Sequence, residues 1–348
     1  MALVVVTGAS GFLGGALARA LLGRGDKIRC VQRSAAPELR ALGAEVVQCD
    51  LSGDPAAVAR AFAGAEAVLH VAAKAGVWGP ARVFEAANFT ATAQVIEGCK
   101  ANAIGKLVYT STPSVVHAGG DVEGVDEAAP LHPDPRSAYA VSKAAAETLV
   151  RAANGPDLAT VALRPHLIWG PADTQLTARI IARARAGRLR LVGGGLKVID
   201  ATYVDNAVEA HLLALDRLGV GAACAGKAYF VANGEPMPQR DLVNGILGAA
   251  GLPPCQSSIA PWAAYAAGAT LEVVWRLLRR QDEPLLTRFV ARQLATAHWY
   301  RLDAVRRDLG YQGKVTTAEG LTRLAAWFGA STLPGCGSSR SLGYRTYK

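Results

Sequence analysis

Val4–Gly14 reads V-V-V-T-G-A-S-G-F-L-G and runs through Gly15 into A-L-A-R-A-L-L. An apolar β-branched run bounded by glycines, then apolar residues at helical spacing (Leu13, Leu17, Ala20, Leu21), predicts a buried parallel strand, a tight turn and a helix. Each glycine then has its own task. Gly8 lets the chain turn sharply, Gly11 lets an anion approach the backbone, and Gly14 lets helix and strand pack closely, while the N–H groups opening the helix face the anion. A glycine triplet alone is weak evidence, but one that follows a strand and opens a helix has the context a pyrophosphate cradle requires. A turn without a ligand would use the same glycines, so motifs further along the chain must decide.

The chain has 348 residues, 51% of them hydrophobic and 19% charged, with a formal net charge of +9. That composition supplies a core and excludes global disorder. It fits one large α/β unit with an appended lobe. Met1-Ala2-Leu3 leads straight into the first strand, which leaves no room for a secretory leader and predicts a cytoplasmic protein. The cysteines (Cys30, Cys49, Cys99, Cys224, Cys255, Cys336) are scattered, without paired or histidine-flanked spacing, so reduced thiols are expected and no metal site or disulfide framework. The positive charge favours anionic partners: a phosphorylated cofactor, an acidic substrate, an acidic protein or an anionic membrane face. Nucleic acid is not expected, because no motif interleaves basic and aromatic residues.

Along the chain, Lys27–Gln32 reads as the second strand. An acidic residue at its end would bond the adenosine ribose of NAD; here stand Gln32-Arg33-Ser34, with Arg33 placed to pair a 2′-phosphate. NADP(H) is therefore favoured and NAD(H) is the alternative, since a solvated arginine at a strand end looks the same. Glu45–Leu51 is the third strand and Ala67–Ala73 the fourth, with His70 read as a satisfied core histidine. Asn88–Asn102 reads as a helix, Lys106–Thr112 as the fifth strand with a hydroxyl-rich end, and Val116–Pro135 as a loop rimming the substrate site. In the alanine-rich helix that follows Ser137, Tyr139 and Lys143 stand one turn apart on one face. A phenol has an ordinary pKa of about 10. An ammonium one turn away favours the phenolate and draws the pair toward working pH for proton transfer to a carbonyl. Tyr344 and Lys348 repeat the spacing in a Gly/Ser-rich tail, so spacing alone proves nothing.

Thr160–Pro171 reads as the sixth strand and its exit, with His166 a wall residue. Arg179, Arg183, Arg185, Arg188 and Arg190 read by default as a solvated basic face, an anion contact being the minority reading. Lys197–Ala214 is a strand and helix, Ala228–Val231 a strand and Met237–Ala250 a helix. Ile259–Arg280 is apolar and bears tryptophan; Glu272 and its length argue against a membrane span. It caps a greasy tunnel or lies on a membrane, and the cap is favoured. Two further segments (302–309 and 317–328) precede a flexible end at 331–348.

Gly-x-x-Gly-x-x-Gly with Thr7, Phe12 and Leu13, Tyr-x-x-x-Lys at 139–143, and Tyr203-Val204-Asp205-Asn206 together resemble the extended short-chain dehydrogenase/reductases. The runs Y-T-S-T-P-S-V-V, R-P-H-L-I-W-G-P, T-Y-V-D-N-A-V-E-A-H and T-A-H-W-Y are similar to the 3β-hydroxysteroid dehydrogenase group within them. The resemblance covers about residues 2–329 and implies a Rossmann-type doubly wound parallel sheet with a smaller, mostly helical C-terminal substrate lobe. It divides the chain into a dinucleotide-binding core at 1–172, to which 196–232 partly returns, a lobe at 173–195 and 233–329, and a tail at 330–348. It implies Thr112, Tyr139 and Lys143 as catalytic residues, with Ser111 the fallback for Thr112, where serine is more common. Lys143 would also hold the nicotinamide ribose. Gly8, Ser10, Gly11, Phe12, Leu13, Gly14, Arg33, Asp50, Leu51, Ala72, Ala73, Pro165 and Ile168 would line the cofactor, and Asn88 would tie its helix to the sheet. The bacterial 2-alkyl-3-ketoalkanoate reductases of long-chain olefin synthesis and the sterol-4-carboxylate dehydrogenase-like proteins are the members it most resembles. The first implies NADPH-dependent reduction of a bulky, hydrophobic, carboxylated 3-ketone, and the second NAD-dependent oxidation of a 3β-hydroxysterol. A homodimer through the Asn88 and Tyr139 helices is implied by the resemblance only. A non-catalytic NADP-sensing protein on the same fold is the rival of another class.

Overall fold

The computed structural model describes residues 3–280 and 282–332. The expected flexible end beyond 332, with Cys336, Tyr344 and Lys348, lies outside the described residues. Strands β1 (Leu3–Thr7), β2 (Lys27–Gln32), β3 (Glu45–Gln48), β4 (Ala67–His70) and β5 (Lys106–Thr110) join Ala159–Pro165 and Ala228–Val231 in one seven-stranded sheet. The order is Ala228–Val231, Ala159–Pro165, β5, β4, β1, β2, β3, and every neighbouring pair is parallel. Alternate residues of β1 serve opposite faces, as the pleat requires. Val4 and Val6 pack with Leu17 and Leu21 of helix α1 (Phe12–Gly23) and with Ala207 and Ala214 of the helix Val204–Arg217. Val5 packs with Val58, Val95 and Ala146 from three helices on the other side. With both faces covered, the strands read as continuous apolar runs.

Three strands end earlier than their composition suggests. β3 stops at Gln48, β4 at His70 and β5 at Thr110. Beyond β4 the ladder is replaced by a side chain: the Thr7 hydroxyl accepts the backbone N–H groups of Val71 and Ala72, each at 3.1 Å. His70 is a satisfied core histidine. Its Nδ1 lies 2.8 Å from the Thr7 hydroxyl and its Nε2 3.0 Å from that of Thr92, and burial holds its pKa down near 3.

The helix placed at Asn88–Asn102 starts earlier, at Ala81, and passes through a π-helical turn over Glu85–Thr90 before Ala91–Ala101. Asn88 sits in that widened turn, accepting from the Lys74 N–H at 2.7 Å and donating to the Ser142 hydroxyl at 3.0 Å. It thus joins the loop after β4 to the helix Ala138–Ala152.

The stretch 116–135 is more than a loop. It holds a strand, Val122–Val125, in a small sheet with His298–Tyr300, Val198–Ile199 and Met237–Pro238. Leu242, Ile246, Ile180 and Leu324 build a separate apolar cluster around Trp169 and Tyr203. The helix Pro261–Leu277 packs through Ala264, Gly268 and Glu272, one turn apart, onto the segment entering the helix Arg288–Ala295. It turns Trp262 and Leu277 outward, each 77% exposed. Among the described residues no helix is long and apolar enough to cross a membrane. The arginines of Leu176–Arg185 are not a plain solvated face: Arg179 pairs with Glu283 at 2.6 Å and Arg183 donates to the Leu285 carbonyl at 2.7 Å.

Candidate active site

The strand order reverses between β4 and β1, so the crevice at the carboxyl edge opens at the turn after β1. Gly8 has φ +70°, and a Cβ there would lie 2.7 Å from the Ala72 Cα. A Cβ at Gly14 would run into the Gly8 carbonyl, 2.8 Å from its carbon. Gly11 is the N-cap of α1, with no side-chain cap and no acidic residue in the first turn, so the positive helix end is uncompensated. The bare cradle fits a dinucleotide pyrophosphate. Ser10 is exposed beside it, Leu13 is buried, and Phe12 packs on the lobe cluster. Arg33 is exposed at the end of β2. The Asp50 carboxylate accepts the Ser52 N–H and hydroxyl, which hold its pKa down with help from the charge of Arg33. Leu51 is buried next to it, Ala72 abuts Gly8, and Ala73 is exposed. Pro165 ends its strand, and Ile168 pairs with Thr202 beyond it.

The helix Ala138–Ala152 is capped by Ser137, whose hydroxyl accepts the Ala140 N–H at 3.2 Å. It brings Tyr139 to the end of β5, beside Thr112. Burial raises the Tyr139 pKa above 10, and the nearby Thr112 hydroxyl opposes that rise. The phenol therefore holds its proton at neutral pH.

Here the structure corrects the expected tuning by Lys143. Its ammonium donates to the Thr110 carbonyl at 2.6 Å and lies 4.1 Å from the centre of the Tyr109 ring, turned to the strand end instead of to the phenol. Burial lowers its pKa to about 7, against the charge of Glu147. Ser111 is also turned away. Its hydroxyl donates to the Glu147 carboxylate at 2.6 Å, and Glu147 takes two bonds from Arg164 at 3.0 and 2.5 Å, all three side chains being buried. Adjacent residues of an extended strand point to opposite sides, so Thr112 faces the phenol and Ser111 the ion pair.

His166 donates its Nδ1–H to the Asp200 carbonyl, 2.7 Å away, and burial lowers its pKa to about 4. Its ring packs edge-on against His298 and Tyr300. Beside Tyr139 a cavity of roughly 540 Å³ is lined by Trp78, Phe84, Trp275, Phe289 and arginines, a size suited to a small-molecule ligand. Sequence reasoning missed the Glu147–Arg164 pair and these walls. The one available signal was Glu147 itself, an acid four residues after Lys143 on an otherwise alanine-rich face.

Known proteins are similar to this chain over most of its length. A 2-alkyl-3-oxoalkanoate reductase of Stenotrophomonas maltophilia is 52% identical over 93% of this chain and 98% of its own. A sterol-4-alpha-carboxylate 3-dehydrogenase (decarboxylating) of Mus musculus is 32% identical over 77% and 75%. The crystal structure of gox2253 superposes with a TM-score of 0.74 at 25% identity, covering 95% of this chain and 99% of that one. The 3-beta hydroxysteroid dehydrogenase/isomerase family matches residues 5–260. With the cradle at β1 and Tyr139 beside Thr112 at the end of β5, the chain belongs to that family and is an oxidoreductase of the extended short-chain type working with a nicotinamide cofactor.

Proposed function

We propose that the protein reduces the ketone of a 2-alkyl-3-oxoalkanoate to the 2-alkyl-3-hydroxyalkanoate, using NADPH, within long-chain olefin synthesis. The observation that carries this is the protonated Tyr139, beside Thr112 at a cavity with aromatic walls. The reductase similar over nearly its whole length supports the substrate class. When bound, the nicotinamide supplies hydride to the C3 carbonyl carbon. Tyr139 delivers its proton to the carbonyl oxygen, so one C–H and one O–H bond form as the C=O π bond breaks. Thr112 donates to the same oxygen and orients it. Lys143, which donates to the Thr110 carbonyl, would hydrogen-bond the nicotinamide ribose. Gly8, Gly11 and the first turn of α1 would hold the pyrophosphate, and Arg33 the 2′-phosphate. A phenol that holds its proton at neutral pH starts in the state that reduction needs.

The test follows nicotinamide absorbance with NADPH and NADH against a long-chain 2-alkyl-3-oxo acid, its 3-hydroxy form and a 3β-hydroxysteroid. Turnover of the oxo acid with NADPH is expected, and Tyr139→Phe should lower it by about 10²–10⁴ while NADPH binding persists. Oxidation of the steroid with NAD alone would overturn the proposal.

A further inference from the structure

The cavity beside Tyr139 carries more positive charge than a greasy substrate needs. Five arginines line it, and three of them are neutralised. Arg136 grips Asp134 with two bonds of 3.0 Å, Arg280 grips Asp282 at 2.8 and 2.6 Å, and Arg288 reaches Glu272 at 2.9 and 2.8 Å. Arg276 and Arg279 have no carboxylate partner among the described residues. The Arg276 guanidinium is instead steadied over Trp78, 5.8 Å from the ring centre.

Arg279 stands just past the end of the helix Pro261–Leu277 with φ +49°, in the left-handed region where helix ends usually place glycine. Its N–H bonds the Arg276 carbonyl at 3.1 Å and the next N–H bonds the Trp275 carbonyl at 2.9 Å. The closed turn therefore brings Arg279 to the same wall as Arg276. A non-glycine residue is strained in that conformation, and here it is an arginine at the cavity.

We propose that Arg276 and Arg279 form the subsite that binds the carboxylate of the substrate, while Trp78, Phe84, Trp275 and Phe289 receive its alkyl chains. The proposal rests on the reading above that the substrate is a carboxylated 3-ketone. It makes these two arginines the determinants of acid over ester: a guanidinium gives a carboxylate charge-assisted hydrogen bonds that a neutral ester cannot match.

Two measurements test it on the full chain. Tryptophan fluorescence reports occupancy of the cavity, because Trp78 and Trp275 line it. Titration with 2-hexyldecanoate and with its methyl ester should show the acid bound about tenfold more tightly, an advantage lost in Arg276→Gln/Arg279→Gln and largely regained in Arg276→Lys/Arg279→Lys. In turnover, the glutamine pair should raise KM for the 2-alkyl-3-oxo acid about tenfold, with kcat within about twofold and KM for the corresponding ester unchanged. Equal binding of acid and ester by the wild type, or equal loss of both in the glutamine pair, would overturn the subsite. A wild type that binds the acid selectively but never reduces a 3-oxo acid would overturn the assigned reaction and leave the arginines supported.

Discussion

Ser111 and Thr112 are neighbouring hydroxyls at the end of β5, yet removing one should harm the fold and removing the other the chemistry. Ser111 donates at 2.6 Å to Glu147, a carboxylate with no exposed surface. A hydrogen bond to a buried charged group contributes about 1.5–3 kcal/mol. Glu147 keeps both bonds from Arg164 in Ser111→Ala, so the lower half of that range applies, about 2 kcal/mol. For a chain of this size that is a fall in Tm of roughly 4 °C or less. Turnover should stay within about threefold.

Thr112→Val keeps the shape, and the contacts it gives up to the Ser114 N–H and hydroxyl are long, both 3.3 Å. Its stability cost should be about 1 kcal/mol or less. It removes, however, the hydroxyl proposed to donate to the carbonyl oxygen, and loss of one oriented donor to a developing oxyanion lowers kcat by about 10²–10³. Thr112→Ser should restore most of it. Thermal melts and steady-state NADPH oxidation on the same preparations read both effects. Collapse of turnover in Ser111→Ala at unchanged Tm, or full turnover in Thr112→Val, would refute this division of labour.

Arg33→Ala should raise KM for NADPH by about 10–100-fold, the range of a lost guanidinium–phosphate bond, and leave KM for NADH unchanged; equal effects on both would remove Arg33 from the phosphate. Lys143 titrates near pH 7 in the fold against an ordinary 10.5. Between those values the unfolded chain holds a proton that the folded one has released, so this group makes the cofactor-free protein more stable as pH rises from about 7 toward 10.5. Melts of wild type and Lys143→Met across that window should diverge accordingly, and parallel curves would show that the lysine is not held neutral. Gly8→Ala sets a side chain at φ +70° with its Cβ 2.7 Å from the Ala72 Cα; by prying β1 from the strand exit beside it, the change should weaken NADPH binding at least about tenfold, measured by fluorescence transfer to the bound nicotinamide.

What the sequence discloses of this molecule depends on how far apart the deciding atoms lie along the chain. The turn from β1 into α1 is decided within some twenty residues, so its glycines, its apolar faces and its bare helix end are all readable locally. The same holds for Tyr139 and Lys143, whose spacing on one helix is local geometry. The direction in which Lys143 points is not local, because the carbonyl that captures it belongs to Thr110, on a strand brought alongside by the fold. The end of β4 is set likewise by Thr7, whose hydroxyl takes two N–H groups that composition assigns to the ladder.

The pleat says that Ser111 and Thr112 face opposite ways, but only the register of Ala159–Pro165 against the helix Ala138–Ala152 decides which of them meets Glu147. The four-stranded sheet contributes segments of two to four residues, too short to show a period, and its pairing of His298–Tyr300 with Val122–Val125 joins distant parts of the chain. An active site assembled from the ends of strands and helices takes its residue types from local pattern and their assignments from long-range contact. Glu147 illustrates both: a plain helix-former by sequence, it anchors Ser111 and Arg164 from two different strand ends, and by occupying Ser111 it leaves Thr112 as the hydroxyl that meets the phenol.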